Sequence, residues 1–383
     1  MEAYRAGEPE EVLIVDDTPA NLRLLSQILT GHGYRVRAVT SGARGLESAR
    51  TAAPSLILLD IRMPELDGFD VCERLKAWPA TRDVPVIFIS ALNDVQDKLR
   101  AFRTGGVDYI TKPFQIDEVL ARVETHLALR RLQQQLLAAN RRYERELALA
   151  GQVQTSFLPH SIPTIPGWDI AARLVPSRET SGDFYDLVPL PEGRWGIVIG
   201  DVADKGAGAA LFMALSWSLI RTYIALYPSQ PARALEAVNR RIVQDTLSDQ
   251  FVTAFVGVLD PVGGTLEYAS AGHCPALLVP RGGEVRRLGL TGMALGVLEE
   301  ENWEEQRIDL GVGDLLVVYT DGVTEARNPK GELFRLERLQ PAAQQAGRWG
   351  AAGVVGQILA DVNAFTEREH LEDDIALIAL ERV

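Results

Sequence analysis

Cysteine is scarce in this chain. Cys72 and Cys274 are its two thiols, too far apart for a metal-ligand pair. That excludes a disulfide scaffold or a zinc module, and it reads as buried or incidental thiols in a reducing compartment. Positive charge is short as well. Lys and Arg number 39 against 52 Asp and Glu, a net charge of −13 that excludes the basic footprint of a nucleic-acid-binding surface. The opening MEAYRAGEPEE is acidic and lacks an apolar core, so no signal peptide is expected. The longest uncharged candidate span, Ala207–Ile220, stops at Arg221 after 14 residues, too short to cross a bilayer. These deficits point to a cytoplasmic protein with no membrane partner. No repeat or low-complexity segment appears, and no kinase or DNA-binding module is expected in the stretch up to Val383.

What is present is ordinary globular material. With 46% hydrophobic and 24% charged residues over 383 positions, the chain should bury two or three separate cores. Across residues 12–125, short apolar strands (Val12–Val15, Val36–Val39, Leu56–Leu59, Val86–Ile89, Tyr109–Thr111) alternate with helices starting near Pro19, Gly42, Asp67, Asp94 and Phe114. Five βα repeats with continuously apolar strands predict a doubly wound parallel sheet covered on both faces. The site of such a sheet lies beyond its C-terminal strand ends. There stand Asp16, Asp17, Asp60, Ser90 and Lys112. Adjacent acids repel, so a bound cation or a lysine is needed to hold them ionised. A carboxylate beside Mg²⁺ and a lysine is positioned to attack a phosphoryl group and form an aspartyl phosphate. The plainer account makes Asp16 and Asp17 helix caps and Lys112 a surface charge. It serves each residue singly, but not all of them at successive strand ends.

The stretches IVDD, LLDIRMPELDG, ISA and YITKPF resemble the response-regulator receiver family over about residues 10–125. The resemblance implies Asp60 as phosphoacceptor, Asp16 and Asp17 as Mg²⁺ ligands with the backbone carbonyl of Arg62, and Lys112 as the phosphate-binding cation. It further implies Ser90 as the hydroxyl that follows the phosphate, Tyr109 as an aromatic switch, a constrained Lys112–Pro113 peptide, and a sensor histidine kinase or phosphotransfer protein as partner.

From Phe114 to Phe157 no strong breaker occurs. Leu129, Leu132, Leu136, Ala139, Tyr143, Glu146, Ala150, Val153 and Phe157 fall at a and d spacing, with Glu146 the one charge among them. A stripe that narrow reads as a coiled-coil pairing surface, hence a homodimer through a linker at 126–157. A monomeric helix lying on either domain is the other reading. Gly151 should weaken the helix by about 1 kcal/mol against Ala and mark a joint.

After Pro159 the pattern turns to blocks of strands and helices. Hairpin signals at Gly263-Gly264 and Gly282-Gly283 predict mostly antiparallel sheets in an α/β sandwich over 158–383. Within it GIVIGDVADKGAGAALFM (Gly196–Met213) reads as a buried strand that carries Asp201 to its end, then a small-residue turn and a helix. SGDFYD (Ser181–Asp186), VVYTDGVTEA (Val317–Ala326) and EDDIALIAL (Glu372–Leu380) each set an Asp against a strand. Singly these are turn and strand-end acids. As an ordered quartet they offer the oxygen ligands of a hard divalent cation.

The quartet resembles the metal-dependent PPM-type serine/threonine phosphatases, in their bacterial SpoIIE-like subgroup, over about Gln152–Val383. The resemblance implies two Mn²⁺ or Mg²⁺ ions that activate a shared water for in-line attack. Asp201 would bridge them, with Asp183 and the Val202 carbonyl on one ion and Asp321 and Asp373 on the other. Asp374 and Asp186 would support these ligands, and Arg178 is the nearest candidate for touching phosphate. His273, in SAGHCPALL, reads as a satisfied structural histidine. The implied substrate is a phosphorylated STAS-type anti-sigma-factor antagonist of a partner-switching pathway. A binding adaptor on a catalytically weak phosphatase fold is the alternative.

Overall fold

The computed structural model describes residues 10–90, 95–246, 249–367 and 371–383. The expected helix start near Asp94 and Ala91 of the ISA motif lie outside them. The chain forms two compact units, up to Arg141 and from Arg142 onward.

The first unit runs β1 (Glu11–Val15), α1 (Pro19–Gly31), β2 (Arg35–Val39), α2 (Gly42–Thr51), β3 (Leu56–Asp60), α3 (Gly68–Ala77), β4 (Val86–Ser90), α4 (Val95–Arg103), β5 (Asp108–Thr111) and the start of α5 (Ile116–Thr155). Its five strands pair in parallel in the order β2-β1-β3-β4-β5. Strand alternation divides the apolar residues between two cores. Val12, Ile14, Leu56 and Leu58 face α1 and α5, while Leu13, Val15, Ile57 and Leu59 face α2 and α3. This is the doubly wound parallel sheet that the βα alternation predicts. The α5 helix holds this unit as far as Leu127, which is buried in the core, and Arg130, whose guanidinium donates to the carbonyls of Pro54 and Ser55.

The second unit continues with β6 (Trp168–Val175), β7 (Phe184–Pro189), β8 (Trp195–Val202), α6 (Ala207–Leu226), α7 (Pro231–Asp245), β9 (Val252–Asp260), β10 (Thr265–Ala271), β11 (Leu277–Val279), β12 (Arg286–Arg287), β13 (Gln306–Asp309), β14 (Leu315–Tyr319), α8 (Asp321–Thr324), α9 (Leu336–Ala346), α10 (Gly350–Thr366) and β15 (Ile375–Arg382). Two antiparallel five-stranded sheets result, β13-β10-β9-β8-β7 and β12-β11-β14-β15-β6. One apolar core fills the space between the sheets, a second lies under α6 and α7, and a third under α9 and α10. The one-turn helix α8 carries no apolar periodicity and was not expected.

Two expectations are corrected here. The uncharged run at Ala207–Ile220 belongs to a 20-residue helix, α6, which continues through Arg221 and is long and apolar enough to cross a membrane. In this fold Phe212, Met213, Ile220 and Ile224 of that helix pack into the core. The a/d stripe also stops short of Phe157, because α5 ends at Thr155 and the Phe157 ring stacks on Trp217 at 5.3 Å.

Candidate active sites

In the first unit, the C-terminal ends of β1, β3 and β5 bring Asp16 and Asp17, Asp60, and Lys112 to one edge. One carboxylate oxygen from each of Asp16, Asp17 and Asp60 lies within 4.8 Å of the other two. Asp16 is fully buried and accepts from the Thr18 N–H (2.8 Å) and from Asn21 Nδ2 through both oxygens (3.1 and 3.0 Å). Lys112 Nζ reaches Asp16 Oδ2 at 3.0 Å and Asp60 Oδ2 at 2.9 Å. Burial pushes the Asp60 carboxyl up and the Asp16 charge adds to that, while Lys112 and the Arg62 N–H pull it down. Burial alone would lower the Lys112 ammonium, yet its bonds to Asp60 and Asp16 raise it. Three hard oxygen donors with one lysine fit a single Mg²⁺.

The geometry also explains two loop residues. A Cβ on Gly68 would lie 2.2 Å from the Asp60 carbonyl oxygen, so only glycine lets α3 start this close to β3. Lys112–Pro113 is cis. Ser90 ends β4 and is buried, and Tyr109 packs edge-on to Phe102 at 6.4 Å beneath the Arg122 guanidinium.

In the second unit, the β7–β8 register pairs Phe184 with Gly200, and one more step brings Asp183 opposite Asp201. Both fall on the inter-sheet side, in step with Tyr185, Ile197 and Ile199. β14 ends and β15 begins at this same end of the sandwich. A Cβ on Gly322 would lie 1.9 Å from the Asp374 carbonyl oxygen, so the TDG glycine lets the Asp321 and Asp373–Asp374 loops touch. The Asp183 and Asp201 carboxyls are close enough to share a hydrogen bond. Burial, then the Asp201 charge, raises Asp183 well above the usual carboxylate range. Burial, then Asp321, pushes Asp201 up to about 7; burial, then Asp373, pushes Asp321 up to about 6. A cluster so short of positive charge is what a bound divalent cation relieves. Gly182 adds to the fit. Its missing side chain leaves the Val202 carbonyl oxygen uncovered, where a Cβ would come within 3.0 Å. Among the described residues the receiver trio is the one group of three or more ligand side chains within 4.8 Å, so the second set is spread more widely. Ligands on either side of two cations about 3.5–4 Å apart are spread in that way.

Several supports were not visible in the sequence. The Thr320 hydroxyl donates to Asp183 Oδ2 at 2.6 Å while accepting from the Ala376 N–H at 2.8 Å, linking both sheets at the site. Asp374 accepts from Ser177 N (2.7 Å), Ser177 Oγ (2.9 Å) and Gly182 N (2.8 Å), so it anchors the SGDFYD turn. Asp186 does not support the ligands. Strand parity turns it to the helix side, where Arg221 Nη1 of α6 donates to it at 2.5 Å. Arg178 is exposed, and the cation beside the cluster is Lys205, 2.9 Å from Asp373 Oδ1. His273 is buried with Nδ1 2.9 Å from Thr253 Oγ1, and Trp303 is a core residue.

The family description "Stage II sporulation protein E (SpoIIE)" matches residues 191–383, and "Response regulator receiver domain" matches 12–124. Phosphoserine phosphatase RsbU of Bacillus subtilis is 30% identical over 263 residues, 68% of this chain and 74% of that protein. The chain belongs to the SpoIIE family. This SpoIIE-family chain carries a receiver domain ahead of a PP2C-type phosphatase domain homologous to RsbU. It is 36% identical to Protein IcfG of Synechocystis over 222 residues, 51% of this chain but 35% of that protein. The chain spans less than half the length of IcfG, of RpaA of Synechocystis and of response regulator PleD of Caulobacter vibrioides. The SiaA-PP2C domain of Pseudomonas aeruginosa shares the fold of the second domain, with a TM-score of 0.57 at 21% identity over 64% of this chain and 98% of that one.

Proposed function

We propose that phosphorylation of Asp60 controls a divalent-cation-dependent phosphoserine and phosphothreonine phosphatase in the second domain. The observation that carries this reading is the meeting of Asp183, Asp201 and Asp321 at one end of the sandwich, beside Asp373, with their carboxyls raised by burial and by one another. Asp201 would bridge two Mn²⁺ or Mg²⁺ ions, with Asp183 and the Val202 carbonyl on one side and Asp321 and Asp373 on the other. When bound, such a pair neutralises phosphate charge and lowers the pKa of the attacking water. The chain's own groups position these ligands. Thr320 orients Asp183, and Asp374 fixes Ser177 and Gly182 on either side of the turn that holds it. In the receiver, Asp60 would take the phosphoryl group beside Mg²⁺ held by Asp16, Asp17 and the Arg62 carbonyl. Lys112 would neutralise it, Ser90 would follow it, and Tyr109 would reorient.

We divide the chain into a receiver at 10–125, a helical linker at 126–157 and a phosphatase at 158–383. The linker exposes Leu129, Leu132, Leu136 and Tyr143, each more than half accessible, which supports pairing with a second copy. Its far end holds the catalytic domain. Gln154 Oε1 accepts from the Ser181 N–H at 2.9 Å and its Nε2 donates to the Ser181 carbonyl at 2.6 Å, two residues before Asp183. A change in how the helix pairs would therefore reach the Asp183 turn directly. The homology to RsbU supports a phosphorylated STAS-type anti-sigma-factor antagonist as substrate.

The test is phosphate release in Mn²⁺ from that phosphorylated antagonist and from a generic phosphopeptide, with Asp60 phosphorylated or not. Asp201→Asn should abolish turnover and leave the fold intact. Metal-dependent turnover near wild type in that variant overturns the site assignment. Inertness towards the antagonist beside activity on another phosphoprotein overturns the substrate.

A further inference from the structure

Lys205 stands in a tight turn after β8 at the catalytic edge. Asp204 before it sits at φ +83° and Gly206 after it at φ +89°, a left-handed pair that throws the lysine back across the site. Its ammonium lies 2.9 Å from Asp373 Oδ1 and 2.8 Å from the Glu372 carbonyl oxygen. It also lines a small cavity of about 140 Å³ together with Asp373, Glu325 and Arg327. Nothing in the phosphatase reading uses this residue, yet it bonds the carboxylate assigned to the second cation. The Asp374 N–H donates to the same Oδ1 at 2.9 Å. Two positive groups cannot share one carboxylate oxygen without mutual repulsion, which grows with the divalent charge.

We propose that Lys205 is an internal cation that competes with the divalent ion for Asp373 and so weakens the second metal site. The inference rests on the two-cation reading. Binding of the second ion must draw the ammonium off Asp373, and the lysine side chain, one-third exposed, has water to turn into. The affinity of that site is then set by a residue that never touches the metal.

The test uses the full chain in an Asp17→Asn background, which removes a ligand of the receiver's ion, with Mn²⁺ binding followed by calorimetry and by the electron paramagnetic resonance of free Mn²⁺. Lys205→Met and Lys205→Gln should each tighten the weaker Mn²⁺ step about tenfold, the order expected when one nearby charge is removed from a partly screened site. Lys205→Arg, which keeps the charge, should stay within about twofold of wild type. If both neutral variants bind Mn²⁺ as wild type does or more weakly, while Asp201→Asn still abolishes binding, the Lys205 inference is overturned and the two-cation reading stands. If Asp201→Asn also leaves Mn²⁺ binding unchanged, both are overturned.

Discussion

Gly151→Ala is a substitution for which local and tertiary reasoning predict opposite signs. In an exposed helix interior it should stabilise by about 1 kcal/mol. In this structure an ideal Cβ on Gly151 falls 1.9 Å from the Glu179 carbonyl oxygen, whereas ordinary contact begins at 3.4 Å. The obstacle is backbone and cannot rotate away, so α5 or the Glu179–Ser181 segment must shift by more than an ångström. Overpacking of that kind costs about 1–3 kcal/mol, which at its centre outweighs the propensity gain. Taking the middle of that range, the net expectation is a loss of about 1 kcal/mol, or roughly 2–4 °C in the midpoint of a domain of this size. The same shift would disturb the Gln154–Ser181 bonds and speed amide exchange at Ser181 and Asp183. Scanning calorimetry of the full chain, following the catalytic domain's transition, gives the first readout and hydrogen exchange the second. Ala148→Gly, on an exposed turn of the same helix, is the control and should cost about 1 kcal/mol through propensity alone. A Gly151→Ala chain that melts higher than wild type with unchanged exchange at Ser181 would refute the reasoning.

His273 titrates in the buried core, where burial pulls its imidazole down to about 4 from an ordinary value near 6.5. The unfolded chain therefore binds a proton that the folded one refuses between these values. Stability is fully present above about pH 6.5 and falls as pH drops towards 4, by about 3 kcal/mol at most. Urea midpoints of wild type and His273→Gln should diverge over that window, and parallel curves would contradict the burial argument. Asn21→Ala removes the amide that holds both oxygens of Asp16 and should weaken Mg²⁺ binding to the receiver about tenfold, measured by quenching or calorimetry. Leu132→Glu with Leu136→Glu places like charges in the exposed seam. Sedimentation should show loss of dimer, and phosphatase activity should cease to follow the state of Asp60. A variant that is monomeric yet still responds fully would make the helix a spacer.

The sequence by itself determined the elements and where the acids fall along them. Continuous apolar runs such as Leu56–Leu59 and Val86–Ile89 specify buried parallel strands, and acids placed straight after them land on the site edge. Glycine pairs at 263–264 and 282–283 specify hairpins because each places a glycine at positive φ, Gly264 at +71° and Gly282 at +74°. These are local signals, carried by a few neighbouring residues. Only the tertiary structure decided which polar groups meet. The β7–β8 register brings Asp183 opposite Asp201, and strand parity sends Asp186 away to Arg221. Thr320 reaches Asp183 across the two sheets, Ser177 reaches Asp374 from the far end of the domain, and Lys205 reaches Asp373 from a turn. No pattern of spacing marks these partners, since each pair is formed by strands and loops distant in the chain. Gly151 makes the same point: its sequence context reads as a flaw in a helix, and its reason is a carbonyl 28 residues further along.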